Sequence, residues 1–347
     1  MAEARASLIE ALGDPVLLVE NGRIAEANPP ARKLLGQHIV GEDFRVAIRH
    51  PAAAERLLPR GESVDTGPIE LIGLGGRETR WEMHTGALEP GRTLVHLVDR
   101  SAGHAAEKMR VDFVANASHE LRTPLAAILG FIETLDDESV GDDRPTRKRF
   151  LRVIHDEARR MQRLVDDLMS LSRIEAEKFR VPDTPVDLGE LAQEVQCVIA
   201  GTDAARGRDV VCELDESLLP VAGDRAQLSQ LLHNLIGNAM KYGRAGTPIR
   251  VRTAAAPGNM VRLSVEDEGE GVAPEHLPRL TERFYRVEAS RSRALGGTGL
   301  GLAIVKHIVE RHRGRLDIRS RLGVGTTVAA LLPTMSSNGN APVTKSG

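Results

Sequence analysis

Gly296-Gly297-Thr298-Gly299-Leu300-Gly301-Leu302 runs directly into Ala303-Ile304-Val305-Lys306 and a helical pattern that extends to Arg313. Glycines just ahead of a helix let backbone amides and the positive helix end face an anion such as phosphate. Two familiar phosphate loops are excluded by the residues alongside. Leu302 stands at the last glycine position of the dinucleotide fingerprint, and no Gly-Lys-Ser/Thr follows as a P-loop requires. A different nucleotide fold is needed. The surrounding elements supply it: helices over Leu188 to Ala200, Asp224 to Tyr242 and Leu300 to Arg313, with strands over Ile249 to Thr253, Val261 to Asp267, around Leu316 to Ser320 and over Thr326 to Leu332. That alternation predicts a two-layer α/β sandwich.

Two further stretches gain sense beside this loop. In Asn234-Leu235-Ile236-Gly237-Asn238-Ala239-Met240-Lys241-Tyr242, the three-four rule puts Asn234, Asn238 and Lys241 along one side of a helix, while Leu231, Leu232, Leu235 and Ala239 face a core. Amide oxygens suit Mg²⁺, and a lysine suits phosphate as a point charge. Asp267-Glu268-Gly269-Glu270-Gly271 ends a strand on a carboxylate followed by two glycines, so an acceptor oxygen can be held against a closely approached ligand, an adenine amino group being a fitting donor. Taken singly, each has a plain reading as a helix surface or a turn.

Upstream, Val114, Ala117, Leu121, Leu125, Ile128, Ile132 and Leu135 are spaced by threes and fours, the seam of a long helix. Asp136 to Pro145 breaks the pattern, and Leu151, Ile154, Ala158, Met161, Val165, Leu168 and Leu171 begin a second seam. Two such helices bury one seam poorly, whereas two hairpins make a four-helix bundle, so a homodimer is expected here. His119 lies off the seam, within Ser118-His119-Glu120-Leu121-Arg122-Thr123-Pro124. A neutral imidazole is a capable nucleophile when a carboxylate fixes its tautomer, and Glu120 is expected to accept its other ring proton. Thr123 follows one turn on, and Pro124 removes a helical hydrogen bond and is expected to bend the helix. A zinc protease is excluded, because Thr123 stands where the second metal histidine belongs. An exposed histidine on a solvated face is the bland alternative.

The first hundred residues read as a small α+β domain. An apolar run from Pro15 to Glu20, the hairpin signal Asn21-Gly22 and a strand from Arg23 to Ala27 lead to a helix from Ala31 to Leu35, then strands over Val64 to Leu71, Thr79 to Leu88 and Thr93 to Val98. Val181 to Asp187, with Pro182 and Pro185, reads as a linker, and the Ser, Asn, Gly and Pro-rich end as a disordered tail.

The 347 residues exceed one small core. With 41% hydrophobic and 27% charged residues the chain is neither fibrous nor disordered as a whole. Lys plus Arg number 46 against 49 Asp plus Glu, a net charge of −3, and 3% aromatics offer little stacking surface, so no nucleic-acid partner is expected. Cys197 and Cys212 are too few for a disulfide framework or a four-ligand zinc site. No apolar run reaches the roughly 18 residues of a membrane helix, and Met1 to Glu10 lacks signal-peptide character.

His119 with its flanks, the Asn234 to Lys241 helix, Asp267-x-Gly269-x-Gly271, Thr281-Glu282-Arg283-Phe284-Tyr285-Arg286 and Gly297-Thr298-Gly299-Leu300-Gly301-Leu302 together resemble, in order, the five boxes of two-component sensor histidine kinases. The resemblance covers about residues 105 to 334, and Gly323-Val324-Gly325-Thr326-Thr327 is similar to that family's last glycine box. Asp112 to His119 and Pro278 to Val287 look most like the family's phosphate-regulon sensors. The resemblance implies a multidomain α+β chain: a PAS-like sensor domain over 1–101, a dimerisation and phosphotransfer hairpin over 102–180, a linker over 181–187, a Bergerat-type ATP-binding domain over 188–334 and a tail over 335–347.

It also implies an activity: ATP-dependent phosphorylation of His119 and transfer to an aspartate on the receiver domain of a response regulator, one of phosphate starvation, with phosphoryl removal from that regulator as well. His119 would be the phosphoacceptor, Glu120 its base and Thr123 the group that positions water. Asn238 would bind Mg²⁺, with Asn234, Lys241 and Arg286 near the ATP phosphates, Tyr242 against the base and Asp267 on the adenine amine. Gly269, Gly271, Gly297, Thr298, Gly299, Leu300, Gly301 and Thr326 would complete the nucleotide site, and Val287 to Leu295, with Arg291 and Arg293, would be a lid. No cysteine lies in the amino-terminal domain for a flavin adduct, and His38, His50, His84 and His96 read as surface or core residues. Such sensors usually carry membrane helices, so the chain reads as cytoplasmic as written, or as inner-membrane-associated if an anchor is missing from its start. Clamp ATPases of the gyrase, MutL and Hsp90 class share this ATP fold but have no need of a helix-borne His-Glu pair, and a non-catalytic scaffold has no need of all the boxes.

Overall fold

The computed structural model describes residues 9–57, 67–137, 143–177, 180–201, 209–287 and 297–335. The chain divides into two compact units, Met1–Ala115 and Asn116–Gly347. No helix among the described residues is long and apolar enough to cross a membrane.

In the first unit, strands β1 (Val16–Glu20), β2 (Arg23–Ala27), β3 (Ile69–Ile72), β4 (Arg80–Glu89) and β5 (Arg92–Asp99) form one antiparallel sheet in the order β2-β1-β5-β4-β3. Asn21 and Gly22 both take positive φ, 49° and 80°, so the β1–β2 turn has the twist that two-residue hairpins require. Helices α1 (Pro29–Leu35), α2 (Phe44–Ala47) and α3 (Pro51–Leu57) complete the unit, the last two not foreseen from sequence. Leu17, Ile24, Phe44, Ile48, Met83 and Leu97 lie at the centre of its core. Asn28 caps α1 and is itself fully buried: its Oδ1 accepts from Val16 and Ala31 amides at 3.0 Å, and its Nδ2 donates to three carbonyls.

Helix α4 (Ser101–Asp136) spans the boundary between the units and runs through Pro124 without ending. It pairs with α5 (Arg144–Ala176), started by Asp143 and Pro145, in an antiparallel hairpin closed by the Phe131–Phe150 ring pair at 5.0 Å. The turn between them, 138–142, lies outside the described residues.

Beyond it, a short strand β6 (Thr184–Val186) pairs with β8 (Val221–Gly223). The stretch expected to be a linker is thus partly built into the fold, because Pro185 needs no amide partner in so short a ladder. Helices α6 (Leu188–Ala200), α7 (Arg225–Tyr242) and α8 (Gly301–Arg311) pack on a five-stranded sheet of β7 (Val210–Glu213), β9 (Ile249–Ala256), β10 (Met260–Asp267), β11 (Arg315–Arg321) and β12 (Gly325–Pro333), ordered β11-β12-β10-β9-β7. Ile249, Val251, Val261, Leu263 and Val265 face the helices, whereas the alternating Arg250, Arg252 and Arg262 pair with Glu268, Glu213, Glu266 and Asp317 on the other side. This is the predicted sandwich, with β6, β7 and β8 the strands missed. Met335, expected in the tail, instead donates its amide to Pro220 O at 2.8 Å, while 336–347 lie outside the described residues.

Candidate nucleotide and phosphotransfer site

Helix α7 is fixed at its start. Asp224 caps it by accepting from the Ala226 and Gln227 amides, and is held by Arg311 at 3.3 Å and by its own amide donating to His312 Nε2 at 2.9 Å. Leu228, Leu231, Leu232 and Ile236 then bury one face, which turns Asn234, Asn238 and Lys241 toward a cavity of about 400 Å³. That volume lies within the range of small-ligand sites.

Strand β10 delivers Asp267 to the same cavity, opposite Thr326 of β12. Asp267 Oδ1 accepts from the Gly269 amide at 2.8 Å. The glycines are there because backbones converge: a Cβ on Gly269 would lie 2.2 Å from Tyr242 O, and on Gly325 (φ +144°) 1.9 Å from Asp267 O. Gly271, Tyr242, Arg286, Gly297, Thr298, Gly299 and Gly301 also line the cavity. Gly269 and Leu300 do not; Gly269 makes the close backbone approach, and Leu300 is fully buried as the residue before α8.

The residues fit a triphosphate on three observations. The start of α8 has no side-chain cap, leaving first-turn amides available to an anion. Asn234 Nδ2 is buried with no hydrogen-bond partner among the described residues, a cost that a ligand oxygen would remove. Burial also pushes the Lys241 ammonium below its usual range, as does nearby Arg163, while Asp167 acts in the opposite direction. For a metal, no cluster of three His, Cys, Asp or Glu that could hold one occurs among the described residues; the side-chain oxygen of Asn238, which lines the cavity, is a donor of the kind Mg²⁺ takes beside phosphates and waters.

On α4, His119 and Thr123 are exposed, and Thr123 Oγ1 donates back to His119 O at 3.2 Å. Glu120 departs from expectation. Its Oε2 accepts from Arg160 at 3.3 Å and from Arg286 at 2.9 Å, and no hydrogen bond among the described residues joins it to the His119 ring. Adjacent residues on a helix point about 100° apart, so sequence neighbours do not face each other. Arg291, Arg293 and Gly296, with most of the expected lid, lie outside the described residues.

Among the cavity residues missed are Arg163, Asp166 and Asp167 of α5. No motif in the sequence marks them, and the docking of α5 on α8 brings them to the pocket. Thr298 Oγ1 donates to Asp167 Oδ2 at 2.7 Å, and burial pushes the Asp167 carboxyl up, against Thr298 and Lys241, which pull it down. Arg283–Glu175 and Arg311–Glu177 ion pairs tie α5 to the ATP domain further along.

The fold and site define an ATP-binding kinase module joined to a histidine-bearing hairpin, and comparison with known proteins agrees. The histidine kinase-, DNA gyrase B- and HSP90-like ATPase family matches residues 223–336, the His Kinase A (phospho-acceptor) domain 109–177 and the PAS domain 6–66. The chain belongs to the sensor histidine kinases of two-component systems. The phosphate regulon sensor protein PhoR of Pseudomonas aeruginosa is 38% identical over 91% of this chain and 71% of its own length, and the sensor protein kinase WalK of Staphylococcus aureus 30% over 94% and 80%. The chain spans only 54% of the WalK of Staphylococcus epidermidis, at 31% identity. Among solved structures, histidine kinase ThkA in complex with response regulator TrrA shares the fold at a TM-score of 0.54 and 22% identity, over 94% of this chain and 98% of that one.

Proposed function

We propose that the chain phosphorylates itself on His119 from Mg-ATP and passes the phosphoryl group to an aspartate of a response regulator of the phosphate-regulon type, acting as a homodimer. The observation that carries the reading is the single cavity into which Asn234, Asn238, Lys241, Asp267, Thr298 and Thr326 converge, in one compact unit with the histidine hairpin. Asp267 would accept from the adenine amine, Tyr242 lie along the base, and Lys241, Asn234, Arg286 and the start of α8 neutralise phosphate charge. Asn238 would hold Mg²⁺, which would supply positive charge to offset that of the phosphates.

The transfer is an in-line displacement. A ring nitrogen of His119 forms the bond to the γ-phosphorus as the bond to the bridging oxygen breaks and ADP leaves, and the ring proton passes to a base, Glu120. In this structure Glu120 Oε2 is shared by Arg160 and Arg286, so bringing the carboxylate to the His119 ring means reorienting it relative to those partners. Thr123 would position water when the phosphoryl group is removed from the regulator. The regulator assignment is supported by the 38% relative and by the phrases around His119 and Phe284.

The test is incubation with γ-labelled ATP and Mg²⁺. Protein-bound label lost in acid and kept in alkali, and absent from His119→Gln while that variant still binds ATP, is the expected result. Label retained on the variant would overturn the assignment of His119; steady phosphate release with no phosphoprotein would favour a clamp ATPase. Transfer to a phosphate-regulon regulator no faster than to an unrelated one would refute the finer assignment.

A further inference from the structure

Two carboxylates of the phosphotransfer hairpin sit on two donors of the nucleotide cavity. Asp167 of α5 accepts from Thr298 at 2.7 Å, in the glycine loop that opens α8, and its charge reaches Lys241. Glu120 of α4 accepts from Arg286 at 2.9 Å, an arginine whose side chain is only 7% exposed and whose Nε has no hydrogen-bond partner among the described residues. Thr298, Lys241 and Arg286 all line the cavity. A hydroxyl, an ammonium and a guanidinium converging with uncapped helix amides make a phosphate cradle, and here hairpin carboxylates complete it. We infer that Asp167 is a phosphate surrogate that sets the nucleotide affinity of this site: its carboxylate takes the place of a phosphate oxygen on Thr298 and must be displaced when ATP binds. This rests on the ATP-site reading above.

The exchange is one anion for another. Asp167 is drawn out of water by its seat against α8, and burial works against its ionised form there. A triphosphate brings more charge to the same donors, so the trade favours nucleotide, but at a reduced net affinity because the Asp167 contact is lost. Leaving Thr298 also removes one of the ties between α5 and the start of α8, so nucleotide binding loosens the hairpin from the ATP domain. The Glu120–Arg286 pair is built the same way and predicts the same release.

The test is direct binding of Mg-ATP and of adenosine, by calorimetry, to the full chain and to Asp167→Asn, with Asp156→Asn as control. Asp156 carries the same charge on the same helix and is well exposed. For Asp167→Asn, Mg-ATP binds tighter by roughly tenfold or more, the scale of a charge-assisted hydrogen bond, while adenosine binding is unchanged and Asp156→Asn matches the parent. Unchanged ATP affinity overturns the inference. Weaker ATP binding also overturns it, because Asp167 would then support the nucleotide complex, as does equal tightening of ATP and adenosine, which marks a steric cover, or equal tightening by Asp156→Asn, which marks bulk charge. Absence of ATP binding in every form would instead fell the nucleotide reading itself, and this inference with it. Asp167→Ala repeats the comparison should the amide find new partners.

Discussion

Leu125, Leu129 and Ile132 form a stripe at helical spacing on α4, and each is about half exposed in the single chain: 46%, 51% and 50%. Val165 and Met169 continue such a stripe on α5. Fully burying a leucine is worth about 1.5–3 kcal/mol, so the half still open to water is worth about 1 kcal/mol per leucine. In a two-fold dimer each residue counts twice. The double variant Leu125→Ala/Leu129→Ala therefore removes about 4 kcal/mol from association, roughly a thousandfold in the dimer dissociation constant. Neither side chain is buried in the single chain, so folding is expected to survive, as far-ultraviolet circular dichroism would report. Sedimentation equilibrium over a concentration series gives the constant. A variant that dimerises as tightly as the parent would refute the placement of the interface on this stripe, and a parent that stays monomeric throughout would refute the bundle.

Three further outcomes follow from single positions. Gly325→Ala should cost about 1–3 kcal/mol or more and weaken ATP binding, since its Cβ would strike Asp267 O; Gly258→Ala, at positive φ but in open space, should cost only about 1 kcal/mol in thermal melts. Equal losses would mean the close approach at the end of β10 is not what demands glycine. His312 is buried, accepts from the Asp224 amide and donates to Ile308 O, and burial lowers its pKa. A lowered folded-state value means the unfolded chain binds the proton first, so stability present above the ordinary histidine range is lost as pH falls through about 6.5 and below; urea melts of the parent and His312→Gln between pH 8 and 5 should converge toward the acid end, and parallel curves would contradict this.

How much of this was legible beforehand depended on whether a residue's role was settled locally. Asn21-Gly22, the start of α7 at Asp224, and the apolar periodicities of α4, α5, α6 and α7 are local, and the corresponding elements begin within a residue or two of expectation. Asn234, Asn238 and Lys241 were legible for the same reason: helical spacing alone puts them on one side, and the leucines opposite decide which side is buried. The strands β7 and β8 were not, because each is only three or four residues long and is defined by a distant partner: Val210–Glu213 pairs in parallel with β9, and Val221–Gly223 with the supposed linker. Helices α2 and α3, of four and seven residues, are too short to show a period.

The site was least legible where its residues meet through packing between helices. His119 and Glu120 are consecutive, but a helix separates them in direction, and in this structure Glu120 Oε2 is held by Arg160 and Arg286, partners that its own stretch does not announce. Asp167 has the reverse history: nothing in its own stretch marks it, and it reaches the nucleotide cavity only because α5 docks on α8. Both differences have one physical origin. In this arrangement Thr298 and Arg286, two donors that line the cavity, are engaged by the hairpin carboxylates Asp167 and Glu120, and on the proposed reading ATP would compete with both contacts. The hairpin that carries His119 thus also occupies two polar groups that line the cavity, which is why the Asp167→Asn comparison reads out on nucleotide affinity.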